Sequence, residues 1–281
     1  MTDLIASVFR AILPTPVLVW LRGSPNAGGR KGSVRQRFLY DRRERLQLWF
    51  HQLRGGKYLD WYAKRLDSFA QTTRISSLAP DDIAEKRMLE YLATGYRDLD
   101  LLKGFGMKPE HKLHEIGVGQ GRAAQFFVDY LEPGNYSGND ISQERLRMAE
   151  ELLGLKHLDE KKPNLIVNRD NSFDWLDGRK VDFIWANAVF GHMPPEDVEG
   201  IIANIAKVMH ETTAFYYTVR GATADTEVRR GSVKDWMRDH AFWENLAGRY
   251  NFQVELVDVE LPADYVPRDA RVMKLAVDQN A

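Results

Sequence analysis

The sequence contains no cysteine among its 281 residues. Disulfide bonds, thiolate metal sites and cysteine nucleophiles are therefore excluded from its stability and its chemistry. It also lacks an uninterrupted apolar run of the roughly 18 residues that a transmembrane helix needs. The longest candidate, residues 4–21, is interrupted by Arg10 and two prolines, and it has neither a basic start nor a small-residue cleavage site. The sequence predicts neither a membrane span nor a signal peptide.

Charge is distributed unevenly along the chain, although the formal net charge is only −1. Residues 1–60 contain eleven Lys or Arg and four Asp or Glu, whereas the remainder contains 28 and 36. A basic front on an acidic body favours contact with an anionic partner, such as a membrane surface or a charged substrate. A basic helix folded onto the acidic body explains the asymmetry equally well.

The first 22 residues predict an amphipathic helix. Apolar residues recur there at helical spacing: Leu4, Ile5, Val8, Phe9, Ile12 and Leu13. Such a helix suits peripheral membrane contact through residues 1–45, because an Arg-rich run follows it. Docking on its own domain, or on a second subunit in a homo-oligomer, is the alternative. The expected location is cytoplasmic, including the inner face of the membrane.

Residues 23–33 read as a linker, since they hold four glycines, a proline and two serines without an apolar anchor. Two helices rich in Arg and aromatic residues are predicted over 34–54 and 57–71, and a third from about residue 80 to Thr94. We therefore expect residues 1–110 to form an α-helical N-terminal extension that acts as a lid.

From residue 112 the pattern changes to strands that alternate with helices. Seven apolar or β-branched runs predict strands at 112–117, 135–139, 164–168, 181–187, 213–219, 252–260 and 271–277. Helical patterns lie at 121–131, 142–153, 173–177, 196–209 and 232–249. This alternation predicts an α/β domain over residues 111–281, with a Rossmann-like, seven-stranded and mostly parallel sheet. The last connection is too short for a crossover, so the last strand should be antiparallel.

Three alternating glycines directly follow the first predicted strand, in HEIGVGQGR at residues 114–122. Glycine is favoured where the backbone approaches a neighbour closely or adopts a positive φ. A dinucleotide fingerprint would place its last glycine at position 122, which is Arg122 here. Glu115 would repel a pyrophosphate but suits a cation. The loop therefore favours a cationic, nucleoside-bearing ligand.

Polar residues also follow the next strands. Asp140 ends the second, about 20 residues beyond the glycines, where an acid can hold both hydroxyls of a ribose. Asp170 ends the third, where a carboxylate can accept from an adenine amino group. Because ligands of open α/β sheets bind at the carboxyl ends of the strands, these side chains should meet at one edge.

At this point the sequence resembles a known family. The segments HEIGVGQGR, YSGNDIS, NRDNSFDWL and VDFIWANAVFGHMPPEDV look like the successive motifs of class I S-adenosylmethionine-dependent methyltransferases. The resemblance covers residues 112 to about 219, and the closing hairpin agrees with that fold. It implies a methyltransferase whose cofactor is S-adenosyl-L-methionine.

The resemblance implies roles for the residues of the first two strand ends. Glu115 would lie near the amino group of the methionine portion. Gly117 and Gly119 would make room for the methionine and the ribose. Asp140 would bind the ribose hydroxyls, and Ile141 would pack on one face of the adenine.

It implies further roles at the third and fourth strand ends. Asp170 would meet the adenine amino group, and Asn171 would offer a backbone N–H to the ring. Ala186 and Asn187 would border the sulfonium. His192 is the candidate catalytic residue, as general base for a hydroxyl acceptor. A structural role at the start of the next helix is its alternative, since a glycine stands where related enzymes often have a glutamate.

The acceptor is expected to be a small-molecule, glycan or lipid-linked compound that is methylated on oxygen. Seven aromatic residues of the front helices suit such an acceptor or the interior of a helical cap: Phe38, Tyr40, Trp49, Phe50, Tyr58, Trp61 and Tyr62. No nucleic-acid module and no metal-ligand spacing is recognisable, so neither partner is expected. A nicotinamide-dependent oxidoreductase and a non-catalytic methyltransferase-like scaffold are the alternative functions.

Overall fold

The computed structural model describes residues 34–77, 89–220, 228–229, 236–263, 265 and 270–278. The predicted first helix, the linker and the start of the predicted third helix lie outside the described residues. The elements in chain order are α1 (Val34–Leu53), α2 (Tyr58–Ser77), α3 (Tyr96–Gly104), β1 (Leu113–Ile116), α4 (Ala124–Tyr130), β2 (Tyr136–Asp140), α5 (Gln143–Lys161), β3 (Asn164–Val167), β4 (Val181–Ala186), α6 (Pro195–Ile205), β5 (Met209–Arg220), β6 (Val228–Arg229), β7 (Trp236–Met237), α7 (His240–Gly248), β8 (Phe252–Leu256) and β9 (Ala270–Val277).

Seven of these strands form one sheet in the order β3-β2-β1-β4-β5-β9-β8. The first five are parallel to one another, and β9 runs antiparallel to both β5 and β8. The predicted seven-stranded sheet with a reversed last strand is confirmed. The strand order changes direction at β1, between β2 and β4, so the crevice for a ligand lies at the carboxyl ends of these strands.

Helices cover both faces of the sheet because successive side chains of a strand point to opposite faces. Along β4, Ile184 and Ala186 belong to the core shared with α6 and α7, whereas Phe183 and Trp185 belong to the core shared with α3, α4 and α5. The strand ends at the crevice are therefore supported by packed core on both sides.

Polar contacts attach α2 to the carboxyl edge of the sheet. Asp67 of α2 accepts hydrogen bonds from the Ser142 hydroxyl (2.6 Å) and the Glu144 backbone N–H (3.2 Å) at the start of α5. A carboxylate is favoured there because the first N–H groups of a helix have no partner within the helix. An ion pair between Arg65 and Glu44 joins α2 to α1. The N-terminal helices are thus fixed next to the crevice.

One predicted helix is wrong at its start. The pattern over residues 232–249 predicts a single helix, whereas Trp236–Met237 form β7, which pairs with β6. Asp239 caps α7, since its side chain accepts a hydrogen bond from the Phe242 N–H at 2.8 Å. The Trp236 ring packs edge-on against Tyr58 of α2, with ring centroids 5.3 Å apart. This tertiary contact outweighs the helical pattern.

Candidate active site

A cavity of about 500 Å³ lies at the carboxyl ends of β1, β2 and β4. Its volume is within the range of about 300–1,000 Å³ that is usual for small-molecule sites. Eight of the ten predicted site residues line it: Glu115, Gly117, Gly119, Asp140, Ile141, Asn171, Asn187 and His192. The topology therefore brings most of the predicted residues to one place.

The other two predicted residues, Asp170 and Ala186, do not line the cavity. The exposed Asp170 carboxylate accepts a hydrogen bond from the backbone N–H of Ser172 at 3.0 Å, and this bond lowers the pKa of the carboxyl. The Ala186 side chain is fully buried in the core on the α6 side. The Asp170 side chain is held in a local turn, and the alternation of side chains along β4 places the Ala186 side chain in the core.

The three glycines of the loop serve different purposes, although all have positive φ. A Cβ on Gly117 would lie 2.5 Å from the Val189 side chain, and one on Gly121 would lie 3.0 Å from the Ala149 Cα of α5. A Cβ on Gly119 would have only the Gly117 carbonyl oxygen within reach, at 4.0 Å, and Gly119 lines the cavity. Two glycines therefore allow close packing, and Gly119 leaves its backbone open to a ligand.

Asp140 holds the glycine loop against the end of β2. Its carboxylate is buried and accepts the Gly119 N–H at 2.9 Å and the Ser142 N–H at 2.8 Å. An ionised carboxylate offers about four acceptor positions, so two donors of a ligand can still be accommodated. This geometry suits the paired hydroxyls of a ribose.

Glu115 is the second carboxyl group of the cavity wall, and it is also buried. Burial raises its pKa to about 8; a hydrogen bond from the Tyr136 hydroxyl (2.5 Å) opposes this rise, and the nearby Asp98 adds to it. A cation placed beside Glu115 would favour the ionised carboxylate. The residue therefore suits an ammonium group.

Behind the cavity wall, the fully buried Asp98 of α3 joins three segments of the domain. Its carboxylate accepts from the Arg122 guanidinium at 2.5 Å, the Asn187 amide at 3.1 Å and the Trp185 indole at 3.3 Å. Burial raises the pKa of Asp98, and the Arg122 charge opposes this rise. Arg122 thus forms an internal ion pair at the place where a dinucleotide fingerprint has glycine. The sequence interpretation missed Asp98, which no motif marks.

A second part of the wall is apolar and surrounds His192. It consists of side chains from α2 and from the segment after β4: Leu59, Tyr62, Leu66, Val189, Met193 and Ile201. The Tyr62 ring lies 6.2 Å from the His192 ring. The Tyr58 hydroxyl donates to the His192 carbonyl at 3.1 Å. Helix α2 therefore holds both the ring and the backbone of His192.

Of the seven aromatic residues that the sequence singled out, only Tyr62 lines the cavity among those whose side chains are described. Tyr58 and Trp61 flank it, with centroids 5.6 and 6.4 Å from the Tyr62 ring. Trp49 is 48% exposed on α1. For Phe38 and Tyr40, the structure describes the helical backbone but not the side chains.

The sequence analysis gave no role to several further cavity residues: Leu59, Leu66, Tyr91, Gln120, Arg145, Met193 and Ile201. The aliphatic members have no signal of their own, because apolar residues at helical spacing are also the pattern of any packed helix. Arg145 offered one signal, since it lies in the first turn of α5 directly after the predicted ribose-binding strand end.

Comparison with known proteins agrees with this geometry. Residues 114–214 match the family model of a methyltransferase domain. The fold is similar to magnesium protoporphyrin IX methyltransferase (ChlM) from Synechocystis PCC 6803 with bound SAH, with a TM-score of 0.54 and 12% identity over 78% of this chain and 99% of that chain.

Two other solved structures share the fold. The glycopeptide N-methyltransferase MtfA complexed with S-adenosyl-L-homocysteine has a TM-score of 0.52 and 11% identity, over 65% of this chain and 90% of that chain. A putative O-methyltransferase from Nostoc punctiforme PCC 73102 has a TM-score of 0.52 and 14% identity, over 68% of this chain and 58% of that chain.

The sheet order, the glycine loop and the matched segment define a class I methyltransferase domain. Residues 114–214 are thus a methyltransferase domain, and the fold around them is shared with solved methyltransferases. The family resemblance of the motifs, the enzyme class and the cofactor are thereby confirmed.

Proposed function

We propose that the protein transfers the methyl group of S-adenosylmethionine to a hydroxyl of an apolar small molecule, or of a glycan or lipid-linked compound with an apolar portion. One observation carries this proposal. A single cavity combines a polar part, which contains Glu115 and Asp140, with an apolar part, in which His192 contributes an imidazole. The polar part suits the cofactor and the apolar part suits the acceptor.

The residues of the polar part fit the cofactor. Asp140 would bind the ribose hydroxyls, Glu115 would face the ammonium group, and Gly119 would pass beneath the nucleoside. Ile141 and Asn171 would border the adenine. When bound, S-adenosylmethionine supplies a methyl group on a sulfonium, which is already activated for transfer.

The chain itself would supply alignment and a base. Because methyl transfer is an in-line displacement, most of the rate can come from the orientation of the acceptor relative to the methyl group. His192 would accept the proton of the acceptor hydroxyl, a contribution of about 100- to 10,000-fold. Tyr58 and Tyr62 would keep the imidazole in place, and the apolar side chains around it would exclude water.

The test is methyl transfer to a matched set of acceptors that share one apolar body and carry a hydroxyl, a thiol or an amine. We expect transfer to the hydroxyl compound, together with binding of S-adenosylhomocysteine in preference to NAD by calorimetry. Transfer only to the thiol or the amine would contradict the oxygen acceptor. Cofactor binding without transfer to any compound would favour the non-catalytic scaffold, and preferential binding of NAD would favour the oxidoreductase.

We also propose that the basic front of the chain contacts an anionic membrane. The observation that favours this is an exposed apolar face on α1, formed by Leu46, Trp49 and Leu53, which are 41%, 48% and 52% exposed. Apolar side chains, a Trp and neighbouring arginines are typical of a helix that lies in a membrane interface. Within the described ranges, no helix has the length and apolarity to cross a bilayer.

Co-sedimentation of the full chain with neutral and anionic vesicles tests this contact. We expect binding to anionic vesicles that salt weakens, because each Lys or Arg adds at most about 1 kcal/mol near such a surface. Trp49→Glu and removal of residues 1–22 should each reduce binding without changing cofactor affinity. Leu155→Glu is the matched control, since Leu155 is 80% exposed on α5. If the parent protein does not co-sediment with anionic vesicles at low salt, the proposal is contradicted. If the parent self-associates and Trp49→Glu abolishes this, the exposed face of α1 binds a second copy of the chain instead.

A further inference from the structure

We propose that Asp98 is a positioning residue of the cofactor cavity, through which α3 sets both the glycine loop and the loop after β4. The inference rests on the proposed use of this cavity for S-adenosylmethionine. Asp98 lies outside residues 114–214, which match the methyltransferase family, and it does not line the cavity. It therefore acts only through the residues that it holds.

The first link runs to the glycine loop. The Asp98 carboxylate binds the Arg122 guanidinium at 2.5 Å, and Arg122 lines the cavity. The backbone of α3 approaches the same residue, because a Cβ on Gly95 would lie 1.8 Å from the Arg122 carbonyl oxygen. The side chain of Asp98 and the backbone of Gly95 thus fix the end of the glycine loop at two points.

The second link runs to the loop after β4. Both carboxylate oxygens of Asp98 accept from the Asn187 amide nitrogen, at 3.1 and 3.3 Å. The Asn187 amide oxygen accepts from the Thr218 hydroxyl at 2.7 Å, so the orientation of this amide is determined from both ends. The same hydroxyl accepts from the Ala188 N–H at 2.9 Å, and Ala188 has a φ of 58°. A residue other than glycine persists in that conformation only where its surroundings hold it, and Asp98 anchors the chain of bonds that does so.

The hydrogen bonds around Asp98 require an ionised carboxylate at this position. The buried carboxylate is surrounded by donors, namely a guanidinium, an amide and an indole. An asparagine of the same shape would turn donor groups toward these donors and leave Arg122 without its counter-ion. Release of Arg122 and Asn187 would then move two parts of the cavity wall at once.

The experiment measures the affinity for S-adenosylhomocysteine by calorimetry and the thermal unfolding of each variant in parallel. Asp98→Asn and Arg122→Gln should each raise the Kd by about tenfold or more. The Kd of the double variant should not exceed the higher Kd of the two single variants, because the two residues act as one unit. Asp98→Glu keeps the charge and displaces the carboxylate, so its Kd should lie between those of the parent and Asp98→Asn.

Glu44→Gln is the matched control. Glu44 is a buried acid in an ion pair with Arg65, and it does not line the cavity. Its replacement should lower the unfolding temperature while the Kd stays within about twofold of the parent.

An unchanged Kd in folded Asp98→Asn, or strictly additive effects of the Asp98→Asn and Arg122→Gln changes, would overturn the proposal. If Asp98→Asn does not fold, an unchanged Kd in both Asp98→Glu and Arg122→Gln overturns it instead. Failure of the parent to bind S-adenosylhomocysteine would remove the proposed function itself.

Discussion

The polar and the apolar parts of the cavity are assembled in different ways. The polar part comes from short segments at the ends of neighbouring strands, all within the residues that match the methyltransferase family. The apolar part joins α2 to the loop before α6, and its contact between Tyr58 and His192 spans 134 positions of sequence. In the proposed assignment, the cofactor part is therefore built mainly from adjacent strand ends, whereas the acceptor part depends on the docking of an N-terminal helix.

The largest effect, a loss of cofactor affinity, is expected from Asp140→Ala in the polar part of the cavity. It would remove the two proposed charge-assisted hydrogen bonds to the ribose, worth about 1.5–3 kcal/mol each before compensation by water. It also removes the acceptor that holds the Gly119 N–H. Calorimetry with S-adenosylhomocysteine should show the loss of affinity.

Asp170→Ala is the matched control for that loss, because Asp170 ends the neighbouring strand segment without lining the cavity. Its replacement should leave the affinity almost unchanged. An equal loss in both variants would restore the adenine-binding role that the family resemblance implies for Asp170. Unchanged affinity in Asp140→Ala would disprove the ribose assignment.

His192→Ala separates the two parts of the cavity by function. A general base acts on the acceptor and not on the cofactor, so turnover should fall by about 100-fold or more while cofactor affinity stays nearly intact. Steady-state rates and calorimetry on the same preparation measure both quantities. Retained turnover would argue for an acceptor that needs no base, and collapsed cofactor binding would mean that His192 is structural.

Glu115→Gln tests the electrostatics of the polar part through stability. The pKa of Glu115 is 4.5 when unperturbed and about 8 in the folded protein. Between these values the folded state binds more protons than the unfolded state, so stability falls as pH rises from about 4.5 to about 8. The slope is at most about 1.4 kcal/mol per pH unit. Glu115→Gln should flatten this part of a plot of unfolding temperature against pH in the absence of cofactor, and an unchanged slope would contradict the raised pKa.

The smallest effect is expected from Tyr62→Ala, which attacks the apolar part. Loss of one aromatic contact is worth about 0.5–1.5 kcal/mol beyond its area, so the KM for the acceptor should rise by up to about tenfold. Cofactor affinity should change little. Trp61→Ala is the matched control, since Trp61 stacks beside Tyr62 without lining the cavity. Equal effects of the two changes would mean that Tyr62 acts only by supporting α2.

The same contrast explains what the sequence could predict. The seven strands were predictable because alternation and β-branched runs are local signals, and the cavity positions of Gly119 and Asp140 followed from the strand ends. The side-chain directions of Asp170 and Ala186 were not predictable, since a motif gives a position in the chain and not the face that a side chain occupies. Asp98 and the aliphatic residues of α2 were missed because their roles arise from tertiary contacts alone.

Ser142 connects helix α2 to Asp140, and this connection has a consequence for how the two parts of the cavity would bind their ligands. Its hydroxyl donates to Asp67 of α2, and its backbone N–H donates to Asp140. A movement of α2 that breaks the first bond would therefore disturb the support of the second. Linkage makes such coupling reciprocal, so an acceptor that holds α2 down should tighten the cofactor by the same factor by which the cofactor tightens the acceptor. One serine would then turn two adjoining pockets into a cooperative pair.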